Sequence, residues 1–375
     1  MEKIGVFGGS FNPVHREHVN MAIAAINAFS LDRLIVMPTF ISPHKKNFAL
    51  APSEDRLQAL EIAFSDRKDI EVSDYEIKKE GISYTYLTLE HIKEEYGGEL
   101  YFLMGTDMLA DFPTWKNPKE ILELSRLVVT AREGENLAKA LSAHYEHFHE
   151  KPLISVYKGK NYSSTKIRNY LALGLDVSEY LDPRVEKFLK ERGTYGGGKY
   201  AYIAEYLNKA LKKKRIVHTA GVMTLAEEYA KRLGEDREKA RLAAMLHDVA
   251  KYNVYEDFGM ETPKDIPKNV IHQFLGAIVS KDVLKIEDED VLNAVRYHTT
   301  GRAAMSTLEK IIFTADFLEE GRTFDGVERL RAAVDKDFDE GFKTCVKELF
   351  GFLQEKNAQE DIYYLSKECF EYYCK

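Results

Sequence analysis

Residues 3–7 form a short apolar run that breaks into Gly8-Gly9-Ser10-Phe11-Asn12-Pro13-Val14-His15-Arg16-Glu17-His18, and a helical pattern over 17–29 follows. A strand that leaves through a Gly-rich turn into a helix admits few folds. It predicts the opening unit of an α/β sheet. Backbone at Gly8 and Gly9 lets phosphates approach closely, and the helix start offers free N–H groups to an anion. His15 and His18, three residues apart, can lie on one face at that helix mouth. Imidazoles there suit phosphate chemistry at neutral pH. Met alone, a Gly-Gly turn is more often structural, and a His pair can be surface decoration or a metal pair. The two features together favour function.

The alternation continues. Residues 34–37, 70–72, 100–104, 127–130 and 154–156 read as strands, and 53–64, 84–95, 166–173 and 183–191 as helices. That pattern predicts an open parallel α/β sheet. Ser53 is expected to cap its helix, Ser83 or Thr85 to stand near the start of the next, and Arg56 to complement nearby anions. Sheets of this kind bind ligands outside the carboxyl ends of their strands, and each polar cluster here follows a strand. Lys45 and Lys46 offer flexible point charges to phosphates. In Gly105-Thr106-Asp107, Asp107 can accept from ribose hydroxyls. Trp115 either stacks on a heteroaromatic ring or closes a local core. In the run 162–168, the hydroxyls of Ser164 and Thr165, free N–H groups and Arg168 can hold phosphoryl oxygens.

The chain has 375 residues, which suits two domains. Glycines at 193 and 196–198 argue for a linker near 193–198, dividing the chain into domains 1–192 and 199–375. Beyond that point strand signals vanish. Apolar residues recur at helical spacing over 200–212, 217–233, 237–250, 270–285, 288–298, 307–319, 327–334 and 338–372, which predicts an all-α domain. The basic run 212–215 is expected at a helix C-terminus. Into these segments are set His218, His247, Asp248, His272, His298 and Asp316. His247-Asp248 lies in LAAMLHDVAKY and Asp316 in IIFTADFLE, where a bare charge would be costly. Buried carboxylates among several histidines make most sense around metal cations.

A net charge of −8 argues against a general nucleic-acid binder, and three cysteines do not make a disulfide framework. No run reaches transmembrane length and no signal peptide is visible, so the expectation is a cytoplasmic protein without membrane partners. The oligomeric state stays open.

The stretches GGSFNPVHREH, SPHKK, SYTYLTL, GTDML with FPTW, and YSSTKIR resemble, in family order, the nucleotidylyltransferase superfamily, and most closely nicotinate-nucleotide adenylyltransferases. The resemblance implies a Rossmann-like, HIGH-type open sheet and transfer of AMP from ATP, with Mg²⁺, to nicotinate mononucleotide. It implies that His15 and His18 contact ATP phosphates, with Gly8, Gly9, Ser10 and Phe11 beside them. Lys45 matches the phosphate-contacting lysine. Thr85, Gly105, Asp107 and Trp115 match the mononucleotide pocket, and Ser164, Thr165 and Arg168 the second phosphate clamp. The family usually has Asp where Asn12 stands and Gly where Glu17 stands. Glu17 is expected to turn outward, away from the nucleotide. Related transferases acting on the amide mononucleotide or on pantetheine phosphate are the rivals.

RIVHTAGV, LHDVAK, VIHQFLGA, VRYHTTGR and TADFLEEGR resemble the HD-domain phosphohydrolases, specifically those that cleave diadenosine tetraphosphate symmetrically into two ADP. That resemblance implies two metals, with N/O ligands that suit Fe or Mn. His218, His247, Asp248 and Asp316 would hold one ion, and Asp248, His272 and His298 the other. Lys251 and Arg302 are candidates for neutralising phosphate. A broad nucleotidase, a cyclic-dinucleotide phosphodiesterase or a non-catalytic nucleotide sensor are the alternatives.

Overall fold

Continuous apolar runs form most of the strands of the first half, and amphipathic segments form its helices. In the computed structural model, which describes residues 1–43, 50–196, 198–356 and 362–375, the order is β1 (Lys3–Gly9), α1 (Arg16–Phe29), β2 (Arg33–Pro38), α2 (Ser53–Phe64), β3 (Ile70–Val72), α3 (Tyr75–Lys79), α4 (Thr85–Tyr96), β4 (Glu99–Gly105), α5 (Thr106–Asp111), α6 (Pro118–Leu124), β5 (Ser125–Arg132), α7 (Leu137–Phe148), β6 (Leu153–Gly159), α8 (Ser164–Ala172) and α9 (Pro183–Arg192). The strands make one six-stranded parallel sheet in the order β3-β2-β1-β4-β5-β6. Residues 4–9 of β1 pair with 33–38 of β2, and 3–6 with 99–102 of β4. Strand order reverses at β1, so the crevice beyond its carboxyl end is the natural ligand position.

Alternation decides which side chains go to which face. Phe7 packs in one core layer with Met21, Ala22, Leu34 and Leu60, while Ile4 and Val6 pack in the other with Leu89, Ile92 and Phe102. A sheet covered on both faces explains why its strands read as apolar runs.

Local details differ from the sequence reading. Gly8 and Gly9 are the last residues of β1 rather than part of the turn, which runs from Ser10 to His15 and contains a cis Asn12–Pro13 bond. Ser53 does not cap α2, whose N-cap is Pro52, and Tyr84 stands at the N-cap of α4. Arg56 is only 2% exposed. It is spent inside the protein, donating to the carbonyls of Ala51, Ser10 and Thr39. Short helices α3, α5 and α6 lie below the length at which periodicity is readable.

The chain divides into two compact units, Met1–Leu171 with Asp176–Gly198, and Ala172–Leu175 with Lys199–Lys375. The second is helical throughout its described residues: α10 (Ala201–Ala210), α11 (Lys213–Leu233), α12 (Arg237–Leu246), α13 (Ile271–Ile278), α14 (Glu289–Arg296), α15 (Thr307–Leu318), α16 (Val327–Lys336), α17 (Phe338–Lys356) and α18 (Tyr364–Cys374). The pattern over 200–215 breaks at Leu211, whose backbone is extended (φ −112°, ψ 148°). Lys213–Arg215 therefore open α11 instead of closing a helix. The span 338–372 is two helices, α17 and α18. Among the described residues no helix is long and apolar enough to cross a membrane.

Candidate active sites

In the first unit the turn after β1 builds one site. Phe11 takes a left-handed φ of +40°, a conformation that costs a side-chain-bearing residue about 1–3 kcal/mol. Its ring is held edge-on by Phe7 (centroids 5.3 Å apart) and His18 (5.1 Å). A Cβ on Gly9 would come within 3.1 Å of the Phe11 ring, which would have to shift by a few tenths of an ångström to admit it. The imidazoles of His15 and His18 stack, with centroids 3.6 Å apart and planes 16° from parallel.

Those rings have assigned roles. His15 is the N-cap of α1, and its backbone N–H donates to His18 Nδ1 at 3.2 Å. A neutral His18 therefore carries its proton on Nε2. Burial, reinforced by the Arg132 cation, holds the His15 imidazole down at about 3, so it is neutral at pH 7. His15 Nδ1 is buried without a hydrogen-bond partner among the described residues.

Arg168 joins α8 to this turn. One guanidinium nitrogen donates to the Asn12 carbonyl at 2.9 Å and another to Thr165 Oγ1 at 3.0 Å. Ser163 Oγ accepts from the Lys166 N–H at 3.4 Å, near the start of α8. The clusters after β1 and β6 are thus brought together. Thr85 and Asp107 lie in the first turns of α4 and α5, and Asp107 is exposed. Gly105 is the N-cap of α5. Trp115 is 8% exposed and packs on Phe112 (5.4 Å) and Phe102 (6.1 Å), so its ring is part of the core layer. Lys45 lies outside the described residues.

Glu17 overturns one expectation. It is 3% exposed and points inward. Its carboxylate accepts from Tyr157 Oη (2.8 Å), Lys160 N (2.8 Å) and Asn20 Nδ2 (3.0 Å). Three donors at a helix N-terminus satisfy the charge, and the residue pins α1 to the end of β6.

In the second unit six side chains from five helices and their ends converge. Asp248, 2% exposed, stands between two groups. Its Oδ2 lies 3.4 Å from His247 Nε2 and 3.9 Å from His218 Nε2. Its Oδ1 lies 3.4 Å from His272 Nε2 and 3.7 Å from His298 Nε2. Asp316 Oδ1 is 3.0 Å from His218 Nε2. His218–His247–Asp248 and Asp248–His272–His298 each have the spacing of a metal-binding triad.

The proton inventory fits a cation. His247 Nδ1 faces the Ala244 carbonyl at 2.6 Å, and His298 Nδ1 faces that of Val295 at 2.8 Å. Each ring must donate there, which leaves the inward Nε2 as a lone pair. His218 Nδ1 faces Glu319 Oε1 at 3.0 Å, with the same consequence for a neutral ring. Yet His218 and His247 bring their Nε2 atoms to 3.2 Å, and His272 and His298 to 3.3 Å. Asp248 Oδ1 has no hydrogen bond among the described residues. Imidazole lone pairs and carboxylate oxygens converging in this way form a donor set that a divalent cation would satisfy. Burial, aided by His298 and Lys251, holds His272 at about 3. Desolvation opposes charge on Asp248 and Asp316, but the neighbouring imidazoles, and Arg322 beside Asp316, hold both well below the carboxylate range.

Lys251 Nζ reaches His272 Nε2 at 2.9 Å and Asp248 Oδ1 at 3.3 Å, facing the cage as its spacing implied. Arg302 does not. Its guanidinium grips the buried Glu309 at 2.7 and 3.0 Å, so its charge is already neutralised. Several residues escaped the sequence reading. Arg215 donates to Asp248 Oδ2 at 2.7 Å, and Arg322 to Asp316 Oδ1 at 2.5 Å. Glu319 orients His218. Each lies three or six residues from a ligand on the same helix or its exit, a spacing that carried the signal.

Fold and site together define an α/β nucleotidyltransferase-type unit followed by a helical unit with a His/Asp metal cage. The cytidylyltransferase-like family matches residues 6–170, and the HD domain matches 215–321. A probable nicotinate-nucleotide adenylyltransferase of Clostridium tetani is 33% identical over 205 residues, covering 52% of this chain and all of that protein. One from Aquifex aeolicus is 39% identical over 158 residues, covering 41% of this chain and 94% of its own. A crystal structure of a predicted HD superfamily hydrolase involved in NAD metabolism from Clostridium acetobutylicum is 38% identical, covering 46% of this chain and 95% of its own, with a TM-score of 0.42. The chain belongs to the nicotinate-nucleotide adenylyltransferase family through its first half and carries an HD domain in its second.

Proposed function

We propose that the first unit transfers AMP from ATP to nicotinate mononucleotide, giving deamido-NAD and pyrophosphate. The observation that carries this reading is the stacked His15–His18 pair at the mouth of α1. The mononucleotide phosphate attacks the α-phosphorus in line, and pyrophosphate leaves without an enzyme nucleophile. His18 Nε2–H and the amides at the start of α1 donate to the charge that develops on phosphoryl oxygens. Arg168 neutralises charge from the α8 side, and Ser164 and Thr165 line that clamp. Thr85 and Asp107 belong to the acceptor pocket, and Mg²⁺ arrives with ATP. Incubating the full chain with ATP·Mg²⁺ and nicotinate mononucleotide, its amide or phosphopantetheine, with products separated by chromatography, tests this. Product from phosphopantetheine alone overturns it, and preference for the amide corrects the acceptor.

For the second unit the reading is symmetrical hydrolysis of diadenosine tetraphosphate to two ADP at a dinuclear centre. The supporting observation is that Asp248 turns one oxygen toward each histidine pair. His218, His247, Asp248 and Asp316 would hold one ion, and Asp248, His272 and His298 the other. Fe or Mn suits these N/O donors. Bound ions there supply Lewis acidity and an activated water. Lys251 and Arg215 place positive charge beside the cage, where a polyphosphate chain needs it. Metal analysis of the purified chain with a panel of dinucleotides, mononucleotides and cyclic dinucleotides decides. One metal per chain, or a mononucleotide cleaved faster than diadenosine tetraphosphate, overturns the assignment.

A further inference from the structure

The glycine content of 193–198 predicts a linker there, and three residues at its start, Arg192, Thr194 and Tyr195, bond into the first unit. Arg192 Nε donates to Asp55 Oδ1 at 3.0 Å, and Thr194 Oγ1 to Asp55 Oδ2 at 2.6 Å. Asp55 is 3% exposed and precedes Arg56, which holds the carbonyls of Ser10 and Thr39. One residue further on, Tyr195 Oη donates to Asn12 Oδ1 at 2.7 Å. Burial raises the Tyr195 phenol, so it remains a donor at any physiological pH.

Asn12 is the hub of the turn after β1. It is 3% exposed. Its Oδ1 accepts from Tyr195 and from the Ala51 N–H at 3.1 Å, and its carbonyl accepts from Arg168 at 2.9 Å. Asn12 Nδ2 has no hydrogen-bond partner among the described residues. The side chain is therefore held by its oxygen alone, through two donors, one of them supplied by residue 195.

We infer that Tyr195 is a positioning residue of the adenylyl-transfer site, acting through Asn12 on the carbonyl that Arg168 grips. The inference rests on the transfer reading given above. Tyr195 touches none of the reacting groups. It fixes the amide that sets the path of the turn between Phe11 and His15. The residues just ahead of Lys199, where the second unit resumes, then belong to the transferase and are not a passive tether.

The test is a double-mutant cycle in the full chain. Tyr195→Phe removes the donor and keeps the ring. It is expected to lower kcat for dinucleotide synthesis about tenfold, the size of effect that losing one of the two hydrogen bonds to a buried acceptor produces. KM for the pyridine mononucleotide should stay within twofold. In Asn12→Ala the target is gone, so adding Tyr195→Phe to it should slow the enzyme no further. Wild-type kcat in Tyr195→Phe overturns the inference, as does a tenfold loss that adds fully to that of Asn12→Ala. If the wild-type chain transfers AMP to no acceptor, the functional reading has failed instead. The turn is then read from the rise in Tm that ATP·Mg²⁺ alone produces. A smaller rise in Tyr195→Phe sustains the role of Tyr195, and an unchanged one ends it.

Discussion

His15 and His18 show how a residue's chemistry is set by what its atoms meet. The His15 N–H occupies His18 Nδ1 and so directs the His18 proton to Nε2. Replacing His18 by Ala should lower adenylyl transfer by about 10²–10³-fold, the usual loss on removing a charge-stabilising donor. The phenylalanine contacts around it should keep the Tm within a few degrees, measurable by calorimetry. His15 carries a pH signature. Its folded value of about 3 lies below the ordinary value of about 6.5. Protonation therefore favours the unfolded chain. The stability from its neutral ring is complete above pH ~6.5 and is lost as the pH falls toward 3. His15→Gln removes this titration, so its Tm should fall less steeply than wild type between pH 6.5 and 4. Parallel Tm–pH curves would refute the assignment.

At the scale of elements, the second unit depends on how closely α11 and the end of α15 approach. Gly221, one turn past His218, permits it. A Cβ there would lie 2.5 Å from Glu319 Oε2. That same oxygen accepts from the Gly321 N–H at 2.6 Å, so moving it breaks a hydrogen bond. Gly221→Ala should push Glu319 off His218 and free the ring to turn. Metal affinity, read by competition with a chromophoric chelator, should fall about 10–100-fold, as it does when a ligand's supporting hydrogen bond is lost. The same scale explains where Arg302 goes. In the sequence it follows His298, but the loop after α14 swings it onto Glu309 in the first turn of α15, over the Tyr297 ring. Spacing along a helix predicts neighbours; spacing across a loop does not.

For the whole molecule, the two proposed activities should answer to two kinds of metal. Stripping the chain with a chelator and then restoring Mg²⁺ should return adenylyl transfer in full. Hydrolysis should return only when Mn²⁺ or Fe²⁺ is added, because histidine and carboxylate donors suit these ions, whereas Mg²⁺ prefers oxygen and water. Added Mn²⁺ should also raise the Tm of the stripped chain, since an ion binding only the folded cage contributes about 2.7 kcal/mol at a hundredfold excess over its Kd. Hydrolysis restored by Mg²⁺ alone would contradict the cage chemistry.

Periodicity and residue type were enough to announce a parallel sheet followed by a helical unit, because burial on both sheet faces and on helix stripes writes itself into the chain at fixed intervals. They also singled out six side chains that the structure brings together around Asp248, since charge in apolar surroundings is costly unless a partner compensates it. Tertiary structure alone decided where Glu17, Arg56, Trp115 and Arg302 point. It also decided that Arg215, Glu319 and Tyr195 complete sites lying 33, 101 and 183 residues away along the chain. A local spacing, as at Arg215 and Glu319, marks a candidate residue but does not name partners so distant in sequence. Their pairing is set by packing, which delivers a donor to an acceptor only once the elements between them have folded.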